Sequence, residues 1–356
     1  MEDAEEALST ASGGIDTLRS SLARVITHVV LDGVAEGPLG VGLDVVGTAA
    51  RLAEAGLVPG LRQAKPLRQR VVSLDGRPVR SGTGRPVSVD GALSLRGVKA
   101  GDVLVVPGLS AATERAVGHL LSRDDAARGA ELLARAAAKG AVVAASCSAT
   151  FVLAASGLLT GRSATTTWWL VPAFVRRFPQ VTVRADRMVV ESEGVLTAGS
   201  AFAHADLMLA LVARVASPSL AHLVARYLVL DERASQARYM VMEHLRVSDP
   251  ALSAVERFVA ANLGRQLSLD ELAHAAATST RTLARRVQAG LGMTPLEFVQ
   301  RVRMAHASHL LETTRESVEE VSARVGYADA AAFRRVYRRY AGETPRGRAP
   351  AGARKR

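Results

Sequence analysis

Cysteine is almost missing from this chain: Cys147 is the only one in 356 residues. An internal disulfide framework is therefore excluded, and the usage fits a reducing compartment. Long hydrophobic runs are missing too, since no segment approaches the roughly 20 apolar residues that cross a bilayer. The first residues, Met1 to Glu6, are acidic where a signal peptide is basic, and no apolar stretch follows them. The eight histidines are scattered, with no cysteine cluster and no His-Glu-x-x-His spacing, so no metal site is expected. His306 and His309 share a helix face and read as surface residues. No glycine-rich phosphate loop is present, and no cofactor is expected. These absences leave a cytoplasmic chain with no membrane partner.

What is present is unevenly placed charge. The formal net charge is +11, yet residues 251–356 hold 18 Lys/Arg against 10 Asp/Glu, so most of the excess lies in the last third. A basic C-terminal third beside a nearly neutral remainder points to a polyanion-binding module attached to something else. The remainder alternates strand-like and helix-like segments. Strands are expected at Arg24–Leu31, Val71–Leu74, Val87–Leu95, Asp102–Gly108, Ala141–Ala145, Val181–Val189 and Gly194–Thr197. Helices are expected at Val41–Ala55, Asp124–Lys139, Ala149–Leu159 and Asp206–Val215. The continuous apolar runs are those of buried parallel strands, which argues for an α/β layered domain with a largely parallel sheet. The expected organisation is a flexible extension at 1–21, an α/β domain at 22–230, a connector at 231–248, an all-α domain at 249–346 and a basic tail at 347–356.

The all-α region contains one helical unit twice. Ser317 repeats Ser268 after 49 residues, and Phe333 repeats Leu283 after 50. Ser268/Glu271, Thr294/Glu297 and Ser317/Glu320 are three capping boxes at the heads of apolar-periodic segments. In the first unit Leu269, Leu272 and Ala276 form the inner stripe of a supporting helix, and the next helix buries Leu283 and Val287. Its outer face carries Thr280, Arg281, Thr282, Arg285 and Arg286. An apolar back, early polar side chains and exposed Arg are what a major-groove helix needs. In the second unit Val318, Val321 and Val325 support, Phe333, Val336 and Tyr337 pack, and Arg334, Arg335, Arg338 and Arg339 face outward. Ala330, Ala331 and Ala332 at its head cannot donate hydrogen bonds, so this unit is expected to hold phosphates rather than read bases. Pro295–Thr313 is expected to be a rigid spacer helix, and Arg354–Arg356 a mobile phosphate-binding extension.

Cys147 falls where a buried strand meets a helix, among Ala145, Ser146, Ser148 and Ala149. Small neighbours permit the sharp turn that lifts a side chain over a helix N-terminus, where a thiol pKa is lowered.

Residues 250–345 resemble the AraC/XylS-type DNA-binding domain of bacterial regulators, most closely at Ala323 to Arg335 and Tyr340 to Pro345. Thr282 to Arg286 and Gly292 to Pro295 fit the first unit. The resemblance implies that the first reading helix makes most base contacts, through Arg281, Thr282, Arg285 and Arg286. Residues 22–230 are similar to the PfpI-type, class I glutamine amidotransferase-like domain that is fused to such readers in GlxA-like regulators. Ala145 to Leu159, Gly161 to Trp168, Thr197 to Gly199 and Asp206 to Val212 carry this second resemblance.

It implies a flavodoxin-like sheet, with a His before the Trp as partner of the cysteine. This chain has Thr167 there, which cannot act as a base at neutral pH. His204 is a stand-in candidate, and Glu36 or Asp44 is a candidate acidic partner. The expected ligand-contacting residues are Cys147, Ser148, Thr167 and Glu36, in a sensor or dimerisation domain without catalysis. Expected partners are double-stranded DNA, a small-molecule effector and a second copy of the chain. The alternative is a cysteine hydrolase or amidase with an appended DNA-binding domain.

Overall fold

A computed structural model describes residues 25–58, 67–231, 233, 235–236, 239, 249–291, 293–342 and 344–345. The expected extension at 1–21, Arg24, most of the connector, Gly292 and the basic tail lie outside the described residues.

The strands are β1 (Val25–Val29), β2 (Arg68–Ser73), β3 (Val79–Arg80), β4 (Pro86–Val87), β5 (Gly91–Ala92), β6 (Val103–Val106), β7 (Val142–Ser146), β8 (Ser163–Ala164), β9 (Thr182–Val183), β10 (Val189–Ser192) and β11 (Val195–Ala198). Seven of them form one sheet in the order β10-β11-β7-β6-β1-β2-β5. The β1–β2, β1–β6, β6–β7 and β2–β5 pairs are parallel, with Ile26 opposite both Gln69 and Val103. All four residues of β6 and all five of β7 are buried, as expected of apolar runs covered on both faces. The chain moves one way from β1 to β2 and the other way to β6, so the sheet has a switch point between β1 and β6. That is where open α/β sheets form a crevice at their carboxyl ends. The architecture is flavodoxin-like.

The helices of this part of the chain are α1 (Glu36–Glu54), α2 (Glu114–Leu121), α3 (Asp124–Ala138), α4 (Ala149–Ala155), α5 (Val171–Arg177), α6 (Ala203–Val215) and α7 (Pro218–Tyr227). Several boundaries differ from the sequence reading: β2 starts at Arg68 rather than Val71, and of the expected strand Val181–Val189 only Thr182–Val183 forms β9 before β10 begins at Val189. Helix α1 starts at Glu36 rather than Val41, because Pro38 sits in the first turn, where its missing N–H costs nothing. The expected strand Val87–Leu95 breaks into β4 and β5. Asp90 exchanges two hydrogen bonds with the backbone of Val71, N–H to O at 2.7 Å and Oδ2 from N–H at 2.7 Å, which binds the turn to the edge of β2.

The remaining helices are α8 (Pro250–Ala261), α9 (Leu269–Ala275), α10 (Thr280–Leu291), α11 (Pro295–Thr313), α12 (Val318–Arg324) and α13 (Ala330–Ala341). All three capping boxes form in full, at the heads of α9, α11 and α12. Each satisfies amides that the first helical turn leaves without intrahelical partners. Leu269 departs from expectation. It is 43% exposed, and α9 buries Leu272 and Ala273 instead, because the cap places Leu269 at the first helical position. There it lines a surface groove with Leu272, Pro295, Leu296 and Val299. Val321, Val325, Phe333 and Tyr337 are buried in the core of the second helical unit as the apolar spacing predicts, Val318 and Val336 pack against it partly buried, and Met304, Ala307 and Leu311 of the expected spacer helix complete it.

Contacts divide the chain into two compact units. One holds the described residues through Leu158, with Glu191–Thr197 and the described residues from Ala201 to 231. The other holds Leu159–Val190, Ala198–Ser200 and the described residues from Arg233 onward.

Candidate functional site

In the first unit, β7 ends at Ser146 and α4 begins at Ala149, so Cys147 and Ser148 make the whole turn. Cys147 takes φ +56°, a left-handed conformation costly for a residue with a side chain. The loop after β6 approaches this turn closely, since a Cβ placed on Gly108 would stand 3.1 Å from Cys147 Cβ. Cys147 itself is buried, at 9% exposure. The Ser148 hydroxyl donates to the carbonyl of Leu109 and accepts from its amide, which ties the turn to the loop after β6. That loop is joined in turn to the start of α1, where the Ala35 amide donates to Gly108 O at 2.8 Å. Glu36, the next residue, accepts from the hydroxyls of Ser81 and Thr83, and these bonds hold its carboxyl below the usual carboxylate range. Cys147 and Ser148, in the turn after β7, and Glu36, at the start of α1, are therefore linked through the loop after β6 at the carboxyl end of the sheet.

His204, the stand-in candidate, is engaged with a neighbour of the cysteine. Its Nδ1 shares a hydrogen bond of 2.9 Å with Ser146 Oγ. The ring is fully buried beside His28, whose Nε2 lies 3.2 Å from Gln69 Oε1. Both imidazoles pack under α1 at Gly42, where a Cβ would fall 2.9 Å from His204 Nε2 and 3.2 Å from His28 Cε1. Burial pushes His204 down to about 3, with the neighbouring His28 adding to it, and burial pushes His28 down to about 4. Imidazoles this weakly basic stay neutral at physiological pH and are poor proton acceptors. His28 was not singled out by the sequence, because a lone His in a β-branched run carries no signal. In the second unit Thr167, the fourth expected ligand residue, is buried and shares a 3.0 Å hydrogen bond with Ser200.

The second unit also holds the helix-turn-helix elements. In α10 Leu283 and Val287 are fully buried, while Arg281, Arg285 and Arg286 are exposed. Thr280 and Thr282 at its head are half-buried, and the Thr282 hydroxyl accepts from Ser279 Oγ at 3.0 Å. Arg286 is not equivalent to the other two, because it pairs with Asp249 at 3.5 Å. Among the described residues no ion pair holds Arg281 or Arg285. In α13 Arg334, Arg335, Arg338 and Arg339 all face solvent, but Arg334 pairs with Glu319 of α12. Asp329 caps α13 by accepting from the amides of Ala331 and Ala332, and those bonds hold its carboxyl below the usual range. Asp249 caps α8 by accepting from the Ala251 amide, as Asp249-Pro250 predicts, but the ion pairs of Asp249 and Glu319 were not legible in sequence, since each joins an Arg of a neighbouring helix.

Among the described residues no cluster of three His, Cys, Asp or Glu is placed to hold a metal ion, and no helix is long and apolar enough to cross a membrane.

Residues 43–214 match the DJ-1/PfpI family, and residues 272–347 match a helix-turn-helix domain family. The chain is 32% identical over 278 residues to the HTH-type transcriptional regulator CdhR of Pseudomonas aeruginosa, spanning 76% of this chain and 78% of that one. It is 26% identical over 318 residues to the regulator GbdR of the same species, spanning 87% and 83%. To the regulator GlxA of Rhizobium meliloti it is 30% identical over 201 residues, spanning 56% and 62%. The chain belongs to this family of DNA-binding, HTH-type transcriptional regulators, in which a DJ-1/PfpI α/β domain is joined to an AraC-type helix-turn-helix domain.

Proposed function

We propose that α10 is the sequence reader of this regulator and α13 its phosphate anchor, and that the α/β domain senses a small molecule without catalysing a reaction on it. The observation that carries the reading is the contrast within α10. Arg281 and Arg285 stand exposed and without an acidic partner at the head of a helix whose back is buried at Leu283 and Val287. Arg286 is drawn to Asp249 and contributes less. At α13 the charged cap Asp329 and three alanines precede the arginines, which suits a helix that grips the backbone rather than base edges.

The absence of catalysis is supported by His204, which is engaged with Ser146 and too weakly basic to activate Cys147, and by Thr167, which has no imidazole to offer. The protein works as a homodimer in the cytoplasm on this reading. DNA fragments selected by the full-length protein supply the test. Replacing Arg285 with Ala costs about 1–3 kcal/mol on the selected sequence and relaxes preference at one base position. An equal loss on every sequence would make Arg285 a phosphate clamp and overturn the assignment. Thiol-dependent turnover of amide or ester substrates, lost on Cys147→Ala, would overturn the non-catalytic reading.

A further inference from the structure

Gln236 lies in the connector, far in sequence from any motif, yet it is 2% exposed and its carboxamide is fully engaged. Nε2 donates to Ala185 O at 2.9 Å, to Thr166 O at 3.0 Å and to Thr165 Oγ1 at 3.2 Å. Oε1 accepts from the amide of Ser200 at 3.3 Å. Three acceptors around the nitrogen and a backbone N–H at the oxygen fix which end of the amide is which. The slot exists because residue 199 is glycine, where a Cβ would come within 2.2 Å of Oε1. The backbone beside it is held as well: the Gln236 amide donates to Asp186 O at 2.9 Å, and Ser235 Oγ donates to the same carbonyl at 2.8 Å.

This lining is selective in its chemistry. A carboxylate in place of the amide would set negative oxygen against the carbonyls of Thr166 and Ala185. A hydrocarbon would forfeit the hydrogen bonds that the amide nitrogen makes to them. A primary carboxamide satisfies every group at once. The slot also adjoins Thr167, because Ser200 bonds Thr167 through its hydroxyl and Gln236 through its amide. It has a route to the DNA-binding helices of the same unit. Burial lowers Arg301 of α11 to about 10, opposed by Tyr340 and by the Asp186 carboxylate. Helix α5, which follows Thr167 in the chain, packs against α10.

We propose that this slot is a primary-carboxamide recognition site occupied in cis by Gln236, and that an effector carrying a primary carboxamide displaces Gln236 and releases the connector. The proposal rests on the sensor reading above and names the effector class and the group it replaces. An effector must outcompete a side chain tethered at high effective concentration, so it needs contacts beyond the amide itself. The resident glutamine thus sets a threshold for response.

The test uses the full-length protein, with propionamide as probe and propionate as its charged control. In Gln236→Ala the slot is vacant, so ligand-observed NMR shows propionamide binding that the wild type and propionate lack. Tryptic cleavage after Arg233 rises about tenfold in the same variant, the change expected from losing the buried amide's hydrogen bonds. Gly199→Ala, which evicts an intact Gln236 from the opposite side, gives the same rise, and circular dichroism confirms that both variants are folded. Equal propionamide binding by wild type and Gln236→Ala, no binding by either, or unchanged cleavage in both variants overturns the proposal. An effector response that survives Gln236→Ala intact removes the slot and leaves the sensor domain standing. If no metabolite alters DNA binding while Gln236→Ala still takes propionamide, the sensor reading fails and the displacement step with it.

Discussion

His28 and His204 show how much a single buried residue commits the α/β domain to neutral pH. An unfolded histidine takes up its proton near pH 6.5, whereas the native state refuses one until about pH 4 at His28 and about pH 3 at His204. Across that window the unfolded state binds more protons, so stability is complete above pH 6.5 and is lost as the pH falls toward 4. Each imidazole costs about 2 kcal/mol between pH 7 and pH 5 by this linkage. His204→Asn should therefore remove about 2 kcal/mol from the acid-induced loss, whatever it does to stability at pH 7. Urea midpoints at the two pH values check this, and parallel losses in variant and wild type would show that protonation occurs elsewhere. The nitrogens His204 Nε2 and His28 Nδ1 have no hydrogen-bond partner among the described residues, which leaves an incoming proton unsupported.

At the scale of elements, the turn between α12 and α13 depends on Gly326. Its φ is +85°, and a Cβ there would lie 2.4 Å from Leu263 O and 3.2 Å from the guanidinium carbon of Arg303. Gly326→Ala therefore pays for both conformation and collision, and should destabilise the helical domain by roughly 2 kcal/mol or more. Thermal unfolding measures it, and a loss under 0.5 kcal/mol would contradict the contact. Much at this scale could be read from the sequence. Ser268, Thr294 and Ser317 announced helix starts because a capping box is local, and β6 and β7 announced themselves because burial on both faces makes a continuous apolar run. Other features could not be read, because they depend on residues distant in the chain. Leu269 fits a helical stripe yet is exposed. The candidate His204 bonds Ser146, and only the fold shows that Gln236 is buried at Gly199. The start of α1 was missed for the opposite reason, since Gly37, Pro38 and Gly40 look locally like loop.

At the scale of the molecule, affinity for DNA is a matter of available cations rather than total charge. Five outward arginines, Arg281, Arg285, Arg335, Arg338 and Arg339, have no ion pair among the described residues, whereas Arg286 and Arg334 are already paired. A cation that meets phosphate releases condensed counterions, so the slope of log affinity against log salt should lie between about −3 and −5. Freeing Arg334 with Glu319→Ala should tighten binding and steepen the slope by about 0.9. An unchanged slope in filter-binding or anisotropy titrations would mean that Arg334 never reaches phosphate. The parallel register of the sheet bears on time as well as on stability. Strand β1 must find β2 and β6, pairing Ile26 with residues 69 and 103, before its backbone is satisfied. Helices α12 and α13 and their capping boxes instead close contacts within a few dozen residues. Loop closure makes the first kind of contact slow and the second fast. Refolding is thus expected in two phases, with helical signal recovered ahead of the sheet. A chain returning from the unfolded state would then hold its arginines ready for DNA before its α/β domain has finished forming.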